Sequence, residues 1–222
     1  MKISSHIYIF IIDFFLDIQI RLDMSHTSNT SETNCHRIKV ISLGSMKSGK
    51  TCIIKRFCEC RFVSKYIPTI GIDFGVKPVQ IKQSKNRYRC NSTQTSNDHT
   101  IHAKINFFDL SGDTQFFEVR KEFYQDTCGA FLVYDVTNKK SFLEIPKWMN
   151  EMKTYGKEDV PIVLCANKID QVRKVSEKEG LQLASEYGLL YYETSCKTGA
   201  NIDDMFEFLF KVILENINDS NS

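Results

Sequence analysis

The sequence lacks an excess of charge of either sign: 29 Lys and Arg stand against 27 Asp and Glu, a formal net charge of +2 over 222 residues. That balance carries no electrostatic footprint for nucleic acid, and no such partner is expected. Eight cysteines are scattered without a C-x-x-C pair, and Cys58 and Cys60 are separated by a single residue, so metal-ligand spacing is missing. They are expected to be reduced thiols. No apolar run reaches the roughly 20 residues that a membrane-spanning helix needs. Ile7 to Phe15 is nearly all apolar, but Asp13 and Asp17 interrupt the stretch before Ile20. No cysteine follows Cys196 and no C-a-a-X box closes the sequence, so no prenyl anchor is expected at that end.

What is there begins with Gly44-Ser45-Met46-Lys47-Ser48-Gly49-Lys50-Thr51, which reads G-x-x-x-x-G-K-T. The β-branched run Ile38 to Leu43 before it reads as a strand, and Cys52 to Phe57 after it continues as a helix. Strand, glycine loop and helix in that order are the setting of a phosphate-binding loop. Glycines let backbone N–H groups turn inward around an anion, and the helix N-terminus adds its positive end. Lys50 is expected to reach the β- and γ-phosphates, and Thr51 to offer its hydroxyl to Mg2+.

A second motif selects the base. Asn167-Lys168-Ile169-Asp170 follows the apolar run Val160 to Ala166. The Asp170 carboxylate can accept two hydrogen bonds from guanine, from N1–H and from the exocyclic amine. Adenine offers no such pair of donors, so it leaves buried groups unpaired. Glu193-Thr194-Ser195-Cys196-Lys197 follows the run Leu189 to Tyr192, and its loop is expected to present the Cys196 N–H to the guanine O6.

From about His36 to about Asn216 the chain resembles the small GTPases of the Ras superfamily, in their Rab-like branch. Thr69-Ile70-Gly71-Ile72-Asp73-Phe74 is similar to the Rab effector segment, and Asp109-Leu110-Ser111-Gly112 stands where the family has D-x-x-G. The longer words Cys52 to Cys58, Arg61 to Tyr66 and Glu118 to Tyr124 resemble the Rab-like proteins that in animals carry a C-terminal J-domain. The sequence ends at Ser222, after the last expected helix, so no J-domain and no J-domain chaperone recruitment is expected. The resemblance implies GTP and GDP as ligands with Mg2+, and contacts to the nucleotide from Gly44 through Cys52 and from Asn167, Lys168, Asp170, Ser195, Cys196 and Lys197. It places Phe62 over the guanine ring and Tyr66 over the phosphates. It gives Mg2+ the hydroxyls of Thr51 and Thr69, the latter only when the γ-phosphate is present, and Asp109 through water. It sets the Gly112 N–H against the γ-phosphate. Loss of that phosphate would release Thr69 and Gly112 together. Effectors are expected on residues 62–76 and 110–126, and an exchange factor is a further expected partner.

The residues expected to act in hydrolysis are Lys50, Thr69, Gly112 and Asp113. Two positions depart from the family pattern. GTPases place Gln after D-x-x-G to orient the attacking water, and this chain has Asp113. A carboxylate about 5 Å from the γ-phosphate is repelled by roughly 3 kcal/mol per unit charge at an effective dielectric near 20. It must swing away or hinder the transition state. The other departure, Met46, crowds the route of an activator's arginine, whose loss costs about 10³–10⁵-fold. Lys47 and Ser48 replace the family's common Gly-Val. Slow hydrolysis is therefore expected, with a GTP-locked interaction scaffold as the alternative. Intact Lys50, Thr51, Asn167 and Asp170 argue against a protein that keeps only the fold.

The element order reads strand 37–43, helix 50–59, strand 73–82, strand 101–109, helix 115–126, strand 128–135, helix 141–154, strand 160–166, helix 176–187, strand 189–194 and helix 201–215. This alternation predicts an α/β fold with a doubly wound, six-stranded, mostly parallel sheet and one antiparallel edge strand, the P-loop GTPase fold. The GTPase domain is expected over 36–216, after an N-terminal extension over 1–35 and before a polar tail over 217–222. Translation is expected to start at Met24, leaving 1–23 unmade; the rival is an amphipathic membrane-facing helix. Residues 83–100 read as a loop insertion of roughly a dozen residues. The expected location is cytoplasmic, with nuclear or peripheral membrane association through partners.

Overall fold

The computed structural model describes residues 35–83 and 99–220. The N-terminal extension except Cys35, nearly all of the insertion and the last two residues of the tail lie outside the described residues. Three strands that are buried without alternation make the centre of the sheet. β1 (His36–Leu43) buries Ile38, Val40, Ile41 and Leu43 completely, and β4 (Gly129–Asp135) and β5 (Ile162–Asn167) are buried along their whole length. Such runs suit parallel strands covered on both faces. β2 (Ile72–Gln83) and β3 (His99–Leu110) form the antiparallel pair, in register from Ile72 opposite Leu110 to Gln83 opposite His99. With β6 (Leu190–Thr194) the order is β2-β3-β1-β4-β5-β6, and every neighbouring pair except β2–β3 is parallel. The expected fold class is the observed one.

Side chains that alternate along the strands feed two cores. Val40, Phe107, Phe131 and Val163 point to one face, and Ile41, Phe108, Leu132 and Leu164 to the other. The first face receives α1 (Lys50–Glu59) and the final helix α6 (Ile202–Ser220). Phe206 is the hub there, with ring centroids 4.5 Å from Phe57, 5.2 Å from Phe107 and 5.3 Å from Phe131. Truncating such a ring to Ala costs about 3–5 kcal/mol. The other face receives α2 (Phe117–Lys121), α4 (Ile145–Tyr155) and α5 (Glu177–Tyr187) through Val119, Trp148, Met152 and Ala184.

Three helices differ from expectation. The helix expected over 115–126 is a 3₁₀ turn, Thr114–Phe116, followed by the short α2. Beyond it the chain tightens into i→i+3 bonds, Phe123 N to Arg120 O at 3.0 Å and Tyr124 N to Lys121 O at 3.3 Å. Phe116, Val119, Phe123 and Tyr124 all reach the core, at the i, i+3, i+7, i+8 spacing of one apolar stripe. The helix expected over 141–154 is interrupted at Glu144, between α3 (Lys139–Leu143) and α4. Pro146 has no N–H to donate to the preceding turn, and it sits where proline is tolerated, at the start of a new helix. The final helix runs through Ile217 to Ser220, residues that read as tail.

Candidate functional site

The loop between β1 and α1 needs both of its glycines. Gly44 has φ 127°, and a Cβ there would stand 2.2 Å from the Val133 carbonyl oxygen. Gly49 has φ 108°, and a Cβ there would meet Asn167 Nδ2 at 2.1 Å. Gly49 caps α1 with no side-chain hydrogen bond, so the first N–H groups of the helix are left for an anion. Lys50 is buried, and its Nζ donates to the carbonyls of Gly44 at 2.8 Å and Ser45 at 3.2 Å. Burial lowers its pKa to about 8, against the opposing pull of Asp109. A phosphate beside this ammonium would favour its charged form.

Behind Lys50 a set of hard oxygen donors converges. Thr51 Oγ1 lies 3.1 Å from Thr69 Oγ1 and donates to Asp109 Oδ2; Thr69 Oγ1 lies 3.3 Å from the same carboxylate oxygen. Asp109 is held from below by Ser42, whose hydroxyl donates to Oδ1 at 2.7 Å and accepts from Leu110 N at 3.1 Å. Burial raises the Asp109 pKa, with Lys50, Thr51 and Ser42 opposing. Two hydroxyls and one carboxylate, all oxygen, suit Mg2+, which keeps several waters and takes few protein ligands.

The far end of the cleft is stitched to the phosphate loop. Asn167, at the end of β5, donates from Nδ2 to the Ser48 carbonyl at 2.8 Å and accepts at Oδ1 from Thr194 Oγ1 at 3.3 Å. Lys168 donates to the Lys47 carbonyl at 2.8 Å and to Asp135 Oδ2 at 2.6 Å. Ser195 Oγ donates to Asp170 Oδ1 at 2.6 Å and accepts from Thr198 N at 3.2 Å, which aims the carboxylate along the loop after β6. That loop is closed by Gly199 N to Ser195 O at 2.8 Å and leaves Cys196 buried, its Sγ 3.5 Å from Asn167 Oδ1.

The segment between α1 and β2 covers the opening. Phe62 is 42 % exposed and Tyr66 47 %, both flanking the same cleft as Thr69. Lys47, whose φ of 65° is left-handed, places its Nζ 5.5 Å from the centre of the Tyr66 ring. Burial and the Asp113 carboxylate push the Tyr66 phenol up. Opposite, Gly112 approaches the phosphate loop so closely that a Cβ would lie 2.5 Å from both Gly44 O and Met46 N. Asp113 turns its carboxylate onto its own chain. It caps the 3₁₀ turn by accepting from Gln115 N at 3.0 Å and Gln115 Nε2 at 2.9 Å. Met46 is 48 % exposed on the rim.

A cleft of about 540 Å³ joins these parts, lined by Met46, Lys47, Gly49 to Cys52, Phe62, Tyr66, Thr69, Gly112, Asp113, Asn167, Lys168, Asp170, Cys196 and Lys197. Gly44, Ser45, Ser48, Asp109 and Ser195 are buried in or behind its wall. Sequence reasoning missed the supports. A serine between Ile41 and Leu43 could have exposed Ser42, and an aspartate closing β4 could have exposed Asp135. Nothing local pointed to Glu144, which accepts from the Ser45 hydroxyl, or to the buried pair Arg120 and Glu151.

The Ras family model matches residues 39–215. The chain is 47 % identical over 186 residues to DnaJ homolog subfamily C member 27 of Rattus norvegicus, covering 81 % of this chain and 62 % of that protein. The Homo sapiens and Danio rerio proteins of that name are 46 % and 43 % identical over the same length. The chain thus spans about three-fifths of the length of these relatives, 62 % of each.

Proposed function

The chain belongs to the Ras family and is a small GTPase, and from that premise we propose that it works as a Rab-like molecular switch that holds GTP or GDP with Mg2+ and hydrolyses GTP slowly. The observation that carries this reading is the meeting of Lys50, Thr51 and Asp170 in one cleft, a phosphate cation, a metal hydroxyl and a guanine acceptor. In hydrolysis, water attacks the γ-phosphorus, its bond to the β–γ bridging oxygen breaks so that GDP leaves, and negative charge spreads over the phosphate oxygens. The Lys50 ammonium and the Gly112 N–H act on that charge, and the Tyr66 ring excludes solvent above it. Thr51, Thr69 and Asp109 are the residues that would hold Mg2+, which would supply positive charge against the phosphate oxygens. Asp113 offers no neutral amide to orient the water, and its carboxylate is engaged by Gln115. Slow turnover rests on that substitution.

Effectors and an exchange factor read the switch through residues 62–76 and 110–126. Exposed Phe62, Tyr66, Ile67, Ile70 and Val76 in the first segment support a protein partner there. Location follows from those partners, in the cytoplasm, in the nucleus or at a membrane periphery. Among the described residues no helix is long and apolar enough to cross a membrane.

A GTP-locked scaffold is the second reading, favoured by Met46 on the rim where an activator's arginine would pass. The deciding experiment is to release the nucleotide that co-purifies with the full chain and identify it by chromatography. GDP supports the switch and GTP the scaffold. An empty protein that takes up no guanine nucleotide with Mg2+ overturns both.

A further inference from the structure

We propose that Arg120 is the positioning residue for the Gly112 amide, so that a guanidinium buried outside the nucleotide cleft sets the preference for triphosphate over diphosphate. The inference rests on the reading that Gly112 senses the γ-phosphate.

Arg120 is 1 % exposed, an unusual place for a side chain that stays charged. One edge of its fork grips Glu151 on α4, Nε to Oε2 at 3.0 Å and Nη2 to Oε1 at 3.1 Å. From the other edge, Nη1 donates to the carbonyl of Ser111 at 2.9 Å and of Asp113 at 3.0 Å. Those two carbonyls bracket Gly112. The Ser111 carbonyl and the Gly112 N–H belong to one planar trans peptide and point in opposite directions. Drawing that carbonyl toward Arg120 therefore turns the Gly112 N–H away from the core. The phosphate loop packs against Gly112, close enough that Gly44 O and Met46 N crowd any Cβ there.

The fork is itself held. Tyr124 Oη donates to Glu151 Oε2 at 2.8 Å, and burial with the adjacent carboxylate pushes that phenol up, so it remains a donor. The guanidinium carbon stands 4.7 Å from the Trp148 ring and 5.6 Å from Phe117. A buried ion pair is weak support for stability, because desolvation offsets most of the attraction. Geometry is what it supplies here. A planar fork can satisfy two carboxylate oxygens and two carbonyls together, and a lysine cannot.

The test measures affinities of the full chain, with Mg2+, for GDP and for a non-hydrolysable GTP analogue. The triple variant Arg120→Met, Tyr124→Phe, Glu151→Leu removes the clamp without leaving a buried charge or hydroxyl unpaired. The expected result is a loss of about tenfold in analogue affinity with GDP changed less than about twofold, the scale of one misdirected hydrogen bond to a charged group. Arg120→Lys keeps the charge without the fork and is expected to lose the same discrimination. It decides the matter if the triple variant does not fold. A folded variant with an unchanged affinity ratio, or a lysine that restores it, overturns the role of Arg120 and leaves the switch standing. An unaltered chain that binds neither nucleotide overturns both.

Discussion

Thr51 and Thr69 meet with their hydroxyl oxygens 3.1 Å apart, and both reach a single oxygen of Asp109. They differ in what holds them. Thr51 belongs to the first turn of α1, whereas Thr69 sits on a loop between Ile67 and Ile70, which are 65 % and 70 % exposed. A donor on a helix is present in every nucleotide state; one on a loop is present only when something orders the loop. Thr51→Ala should therefore weaken GDP and a non-hydrolysable GTP analogue alike. Thr69→Ala should weaken the analogue by about tenfold, or 1.4 kcal/mol, and leave GDP nearly unchanged. Titrations with fluorescent nucleotides, with and without Mg2+, check this. Equal losses for both nucleotides with Thr69→Ala would remove it from the switch.

Gly112→Ala probes the same state from the other side. The added methyl would stand 2.5 Å from Gly44 O and Met46 N, so the loop must withdraw from the phosphates. A stability loss of about 1–3 kcal/mol is expected from the crowding. The only tryptophan of the sequence, Trp148, stacks 4.7 Å from the Arg120 guanidinium and reports on this loop. Its emission should differ between the GDP and analogue complexes of the unaltered chain and stay the same in both complexes of Gly112→Ala. A variant that keeps the full emission change would show that the loop need not close.

The local motifs were legible because each is a contiguous word whose residues stand side by side in the structure. Gly44 to Thr51 and Asn167 to Asp170 are contiguous words, and strand periodicity placed each after a strand. The supports were not legible, because they are made by contacts between distant segments. Ser42 holds Asp109 across 67 residues, and Lys168 pairs Asp135 across 33. Arg120 and Glu151 each read as ordinary polar residues on helix surfaces, and only the packing of α2 against α4 buries them together. The broken helices were missed for a related reason. Pro146 was visible, but no residue after Lys121 marked the i→i+3 bonds that end the helix there.

Asp170→Asn should exchange one base for another. In the proposed reading the carboxylate accepts from two donors of guanine, and Ser195 holds one of its oxygens at 2.6 Å. An amide offers one acceptor and one donor, which suits xanthine, where a carbonyl replaces the amine. Guanine affinity should fall by at least about a hundredfold, as expected when buried polar groups are left unpaired. Xanthine nucleotides should gain. Competition between GDP and XDP for the variant measures both, and unchanged guanine preference would put the base elsewhere.

The pH dependence of stability has a local source in α5. Ser176 and Glu179 form a reciprocal capping box, and Lys139 approaches Glu179 at 3.1 Å. Hydrogen bonds from the Ser176 backbone and hydroxyl, with help from Lys139, hold the Glu179 carboxyl at about 2, below its ordinary value of 4.5. A folded pKa below the unfolded one stabilises at pH above the unfolded value and is lost as pH falls through the folded value. Glu179→Gln can still cap without titrating. The difference in Tm between the two proteins should be full at pH 6 and should close between pH 4.5 and 2. A difference that persists at pH 2 would assign the effect to packing rather than charge.

Asp113 has two tasks that separate by substitution. Its carboxylate caps the turn Thr114–Phe116, and it stands at the mouth of the cleft where it raises the Tyr66 pKa. Asn caps about as well as Asp, whereas Ala loses about 0.5–2 kcal/mol. Asp113→Asn should thus keep the melting temperature and remove the charge, while Asp113→Ala should lower it and also remove the charge. If repulsion is what slows turnover, both should raise single-turnover hydrolysis to a similar extent, up to the roughly 3 kcal/mol that a unit charge exerts about 5 Å away at an effective dielectric near 20. If the missing water-orienting amide is what slows it, only Asp113→Gln, whose longer arm reaches past the turn, should raise the rate, by at least about tenfold. A rate unmoved by all three would clear Asp113 of any part in slow turnover, neither its charge nor its lack of an amide being the cause.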